Sequence, residues 1–171
     1  MTDTGPFEAL AEFGVALAGF TGVVVVFGLR RGELMPADRF RVYNALVLSL
    51  GGSLLAILPL GLQLAAVGTE TVWRLSSLAL AVVVAGHLGV MIQTVRRLSI
   101  GDREVLRPFV AYAIFSVLVL SPVLGALNAS GVLFRPQGFA HFACVFCLLF
   151  AAAVIFVRIV FVRPPSGSME A

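Results

Sequence analysis

Residues 138–162 read GFAHFACVFCLLFAAAVIFVRIVFV, a run that carries a single charge, Arg158. A helix needs ~20 predominantly apolar residues to cross a bilayer, and this stretch supplies them without interruption. Four further stretches meet the same test, at 7–29, 42–67, 72–95 and 108–127. Helix is the economical state for each, because a strand edge or loop in lipid leaves backbone groups unpaired. The sequence therefore predicts an all-α, polytopic transmembrane bundle of five spans, forming one domain over residues 1–171. Composition agrees: 60% of the residues are hydrophobic and 12% are charged, against about 45–50% and about 25% in soluble domains. No stretch is left for a separate soluble domain. The N-terminal residues before Phe7 hold Asp3 and no basic group, so the first span is expected to remain as an anchor rather than to be cleaved as a signal peptide. The tail at 164–171, beginning Pro164-Pro165, reads as disordered.

The connections alternate in charge. Arg30, Arg31, Arg39 and Arg41 lie between spans one and two, and Arg96, Arg97, Arg103 and Arg107 between spans three and four. Arg158 and Arg163 close span five. The other two connections hold only Arg74 and Arg135. Ten of the 12 basic residues, all of them arginine, thus fall on one side. The positive-inside rule makes that side cytoplasmic, with the N-terminus outside and the C-terminus inside, as in a multi-pass protein of a bacterial inner membrane. Arginines in short loops between spans read as topology, so no nucleic-acid partner is expected. Trp73, at the outer end of span three, fits an interfacial anchor.

Two hairpins resemble each other. Ala18-Gly19-Phe20-Thr21-Gly22-Val23 leads to Arg30-Arg31 and Asp38-Arg39; Ala85-Gly86-His87-Leu88-Gly89-Val90 leads to Arg96-Arg97 and Asp102-Arg103. A helix with an internal proline follows each, Pro59 in one and Pro122 in the other. The pattern predicts a parallel repeat about an axis along the membrane normal, with span five outside it.

At 100° per residue, span one divides into two faces. Ala11, Val15, Ala18, Gly19 and Gly22 share one with Glu8 and Glu12; Phe13, Leu17, Phe20, Val24 and Phe27 share the other. Gly14, Ala18 and Gly22 are four apart, a spacing that lets helices approach closely. The small face is expected to pack on span three, at Gly86 and Gly89, or on a second copy of the chain. Ionisable groups within a span are expensive and point to function. Glu8 and Glu12 could form a cation entrance in a homo-oligomer, couple a proton to transport, or be held in an ion pair by Arg74. The Ala11-Glu12 pair in a small-residue helix resembles the first helix of the small multidrug resistance transporters, over about a dozen residues. Five spans instead of four, a longer first loop and a parallel repeat depart from that pattern, so the resemblance carries no function to the whole chain.

Other polar residues fall inside the spans. His87, taken with Gln63 as mid-membrane, could relay protons, bind metal or hydrogen-bond between helices; Gln63, Asn44 and Gln93 read as glue between helices. His141, Cys144 and Cys147 form H-x-x-C-x-x-C, a soft ligand set, but steps of three residues spread them around a straight helix, so no metal is expected. A haem between His87 and His141 would need them at one depth, and their positions differ by ~18 Å along the helices. Nothing calls for a cofactor, and no nucleophile, zinc or phosphate-loop motif nominates an enzyme. These readings predict a small membrane protein in the lipid bilayer that forms a homo-oligomer and conducts or transports a small cation. The alternative is a non-conducting scaffold or signalling partner with arginine-rich cytoplasmic loops, and the third option is a metal or redox subunit.

Overall fold

A computed structural model describes residues 5–29, 36–99, 101, 108–131 and 137–161. They form α1 (Gly5–Leu29), α2 (Pro36–Leu64), α3 (Thr69–Arg97), α4 (Pro108–Ala129) and α5 (Gln137–Phe161), with no strand among them. All five are long and apolar enough to cross a membrane, and the chain is an all-α multi-pass membrane protein. The tail at 164–171 and Arg30, Arg31, Arg103, Arg107, Arg135 and Arg163 lie outside the described residues.

The helices overrun the apolar stretches because polar first turns remain helical outside the hydrocarbon. α2 begins with Pro36, a residue pre-set for the first helical turn, and Asp38 bonds Arg41 one turn on at 2.9 Å. With 29 residues, α2 is ~43 Å long, the thickness of a bilayer with its head groups. α2 ends where Val67 N–H returns to Leu62 O at 3.4 Å and Ala66 takes φ +56°. That left-handed position favours glycine by about 1 kcal/mol or more.

Rings from the starts of α1, α3 and α5 meet: Phe7 lies 5.6 Å from Trp73, and Trp73 6.3 Å from His141. At the other end one cavity is lined jointly by the start of α2, the end of α3, the start of α4 and the end of α5. The helices therefore run alternately up and down, and Arg39, Arg41, Arg96, Arg97 and Arg158 gather at one end. The closest pairings are α1 on α2 and α3 on α4, the two expected hairpins. α5 does not stand aside from them. It packs on α2, α4 and α1 and supplies Val145, Leu148, Leu149 and Ala152 to the core. Outward, Phe20, Leu54, Val82, Phe139 and Phe150 are exposed, an apolar exterior suited to lipid.

Two expectations for α1 are corrected. The helix packs along α2 and α5; it meets α3 at the Phe7–Trp73 ring contact and not at Gly86 and Gly89. Its buried stripe is Phe7, Leu10, Gly14, Leu17, Ala18 and Thr21, turned by roughly a third of a turn from the small-residue face. Large side chains fill the groove beside α2 better than small ones do, so Leu17 goes inside and Val15 is left exposed. Of the five glycines expected at helix seams, Gly14 alone makes a close approach: a Cβ there would sit 2.7 Å from Ser49 O and also meet the Ser53 hydroxyl. Gly19, Gly22, Gly86 and Gly89 face open space within the chain. Trp73 is buried, with Gly138 making room for its ring, instead of lying out in the interface.

Gly14→Ala is accordingly expected to destabilise the protein by about 1–3 kcal/mol through overpacking, while Gly19→Ala leaves thermal unfolding in detergent within about 0.5 kcal/mol of the parent. Ala66→Gly should raise stability by about 1 kcal/mol in the same measurement.

Candidate functional site

At the arginine-rich end the bundle opens into a cavity of about 210 Å³. Met91 and Val95 of α3, Ile114 of α4 and Ile155 of α5 give it apolar walls, and Arg41 of α2 and Arg158 of α5 add polar groups. Arg41 is 5% exposed and held by Asp38. Asn44, one turn deeper on α2, is 2% exposed. Its amide Nδ2 donates to Phe40 O at 2.7 Å, which leaves Oδ1 as the acceptor, without a hydrogen-bond partner among the described residues. The sequence marks these arginines as topology, and no spacing in it signals that residues 41, 44, 91, 114 and 158 converge.

The acids of α1 behave differently. Glu12 lies seven residues into α1, ~10 Å from its start. Glu8 and Glu12 are both exposed, on the open flank with Val15 and Gly19. Neither makes an ion pair among the described residues, and Arg74 does not reach Glu12. Arg74 pairs with Glu70, one turn away on its own helix, because this intrahelical partner needs no bridge to α1.

Gln63 is not at mid-membrane, since it is the penultimate residue of α2 and half-buried. Gln93 is exposed rather than between helices. His87 lies ten residues from the C-terminal end of α3, ~15 Å along the helix, and is 9% exposed with its ring 6.3 Å from that of Tyr43. Nε2 of His87 is buried with no hydrogen-bond partner among the described residues, beside a space of about 20 Å³ bounded by Gly51 and Gly52. That is about the volume one water needs.

His141, Cys144 and Cys147 do not converge. Cys147 is exposed, and buried Cys144 faces α4, with Sγ 3.9 Å from Ser121 O. His141, 1% exposed, donates from Nε2 to Leu55 O of α2 at 3.0 Å. This bond has a reason in the sequence. Pro59 lacks an N–H, so Leu55 O loses its partner four residues on, and His141 supplies one. Among the described residues no group of three His, Cys, Asp or Glu could hold a metal ion. Two further bonds between helices come from residues that carry no motif: Asn128 Nδ2 to Ser77 Oγ at 2.8 Å, and Ser53 Oγ to Ala11 O at 3.0 Å.

Comparison with protein-family models, with curated proteins and with solved structures finds no match, so the site is read from its own residues.

His141→Phe should cost about 1–3 kcal/mol, since it leaves Leu55 O buried and unpaired. Pro59→Ala restores the intrahelical partner, so the double variant should recover most of that loss in a thermal double-mutant cycle. Simple additivity of the two changes would show that the carbonyl is not what His141 serves.

Proposed function

We propose that this small integral membrane protein is a non-conducting scaffold in a bacterial inner membrane. Its arginine-rich end faces the cytoplasm and engages anionic lipid head groups. One observation carries this reading: the single chain is filled across its middle. Leu80 and Leu118 are fully buried and Leu148 nearly so, with Leu55 beside them, and no polar path joins the two ends among the described residues. The space and the charge lie together at the basic end. Clustered arginines beside a bilayer attract anionic lipid by about 1 kcal/mol per residue near the surface, and Arg39, Arg96 and Arg97 are exposed there.

A second reading has its own observation. Exposed Glu8 and Glu12 lie on a side of α1 that no helix of the same chain covers. A carboxylate facing lipid is costly. A homo-oligomer built around α1 would place these acids as rings at an outer mouth and favour a small cation.

Reconstituted liposomes separate the two readings. The scaffold reading expects cation flux no higher than in empty liposomes for wild type and for Glu12→Gln alike. Wild-type flux that is lost in Glu12→Gln would overturn it and install the oligomeric cation entrance. Flux that survives the substitution would overturn the scaffold reading and exclude Glu12 from the pathway.

A further inference from the structure

The cavity between α2, α3, α4 and α5 sets an unmet acceptor within apolar walls. Asn44 lines it and is 2% exposed. Its Nδ2 donates to Phe40 O at 2.7 Å, and its Oδ1 has no hydrogen-bond partner among the described residues. A buried acceptor of this kind asks for a donor. Arg41 and Arg158 line the cavity too, but each has interactions of its own, Arg41 with Asp38 among them. A ligand therefore has no open charge to answer there, and the acceptor is what it must satisfy.

Depth decides which donor can come. Asn44 is eight residues from the start of α2, ~12 Å along a helix as long as a bilayer with its head groups. The head-group layer takes up roughly 5–8 Å of that, so Asn44 lies among acyl chains. A free anion is costly in hydrocarbon, and a cation would meet the guanidinium groups of Arg41 and Arg158. What remains is an uncharged molecule that dissolves in the acyl region and carries a hydroxyl. Shape narrows it further. The volume of about 210 Å³ exceeds the roughly 150 Å³ of an apolar cavity that accepts benzene. The surplus suits one ring with a hydroxyl and a short alkyl group. Phe40, Tyr112 and Phe115 line the space beside Met91, Ile114 and Ile155, and aromatic side chains hold a ring by edge or offset contact. Tyr112 is also 71% exposed, so the cavity reaches the surface of the bundle at α4, where a ligand can enter from the lipid.

We infer that this cavity binds one uncharged, lipophilic phenol, whose hydroxyl donates to Asn44 Oδ1 while its ring lies among Phe115, Met91 and Ile155. A phenol, like the tyrosine side chain, ionises at about pH 10, so the donor stays in place at neutral pH. The site goes beyond the scaffold reading and does not depend on it, since a protein that engages no anionic lipid would hold the phenol equally well.

Equilibrium dialysis with the full-length protein in lipid nanodiscs tests it, with empty nanodiscs as the blank. The probes are para-ethylphenol, its methyl ether para-ethylanisole, and para-ethylbenzoate as a carboxylate of similar shape. Wild type should take up one para-ethylphenol per chain, saturably, above the lipid background. The ether offers Asn44 no donor and should bind about ten-fold more weakly, the order of one lost hydrogen bond. Asn44→Leu removes the acceptor, so the phenol and the ether should then bind within about two-fold of each other, whereas a gap due to size alone would persist. Ile155→Trp should abolish saturable uptake of the phenol while leaving the acceptor in place. Val95→Phe fills the cavity from another helix and should do the same if the tryptophan variant fails to fold. Phenol uptake no higher than in empty nanodiscs, equal binding of phenol and ether to wild type, a gap that outlasts Asn44→Leu, or saturable uptake that survives the filling variants would each overturn the site. Tighter binding of para-ethylbenzoate than of the phenol would overturn it in favour of an anion.

Discussion

In hydrocarbon a backbone carbonyl finds its partner one turn along its own helix or goes without, and Pro59 removes that partner from Leu55. The remedy lies on another helix, where His141 Nε2 donates across to the orphaned oxygen at 3.0 Å. The bond fixes the N-terminal half of α5 against α2. Trp73 and Phe7 close around the same ring, so α1, α3 and α5 are tied together at that level. Gly14 and Gly52 then give Leu149 room to enter between α1 and α2. A proline that would weaken an isolated helix thus places the fifth helix between the hairpins. Packing tight at that end and through the middle leaves the free volume at the other end, where α2, α3, α4 and α5 part around the cavity.

The spans and their alternation were legible in the sequence because hydrophobicity over ~20 residues and arginine placement are both one-dimensional signals. The pairing of α1 with α2 and of α3 with α4 follows from short connections. Lateral position is where the reading failed, for a physical reason. In lipid the exterior is as apolar as the core, so polarity does not mark the inward face. Small residues served as a proxy, and they pointed α1 the wrong way: Leu10 and Leu17 are inside, and Gly19 and Gly22 look out. Arg74 could not be assigned either, since its choice between Glu70 and Glu12 depends on how α1 is turned. His141 is the opposite case. A proline in one span and a histidine in another are enough to suggest the bond once their depths are matched, and their place in the helices makes that match.

The open flank of α1 is the least satisfied part of the molecule. Glu12 is ~10 Å in from the start of its helix, deep enough to cost energy against lipid and shallow enough for its side chain to reach the head groups. Gly19 and Gly22 lie further along that flank with open space before them. Such a surface admits a second helix without admitting that one is present, because small residues line lipid-facing positions as well as seams. This flank of α1 and the cavity lie at opposite ends of the bundle and share no lining residue among those described.

That independence bears on how the two ends could be linked. The middle of the bundle is closed by leucines from α2, α3, α4 and α5, and packed interiors transmit strain instead of yielding to it. Directly beneath the cavity, Met91 stands one turn from His87, whose Nε2 has no hydrogen-bond partner among the described residues. His87 in turn borders the small space beside Gly51 and Gly52, in the helix that carries Pro59 and the Leu55 carbonyl. A chain of contacts thus runs from the cavity at the arginine-rich end to the bond that holds α5 in place.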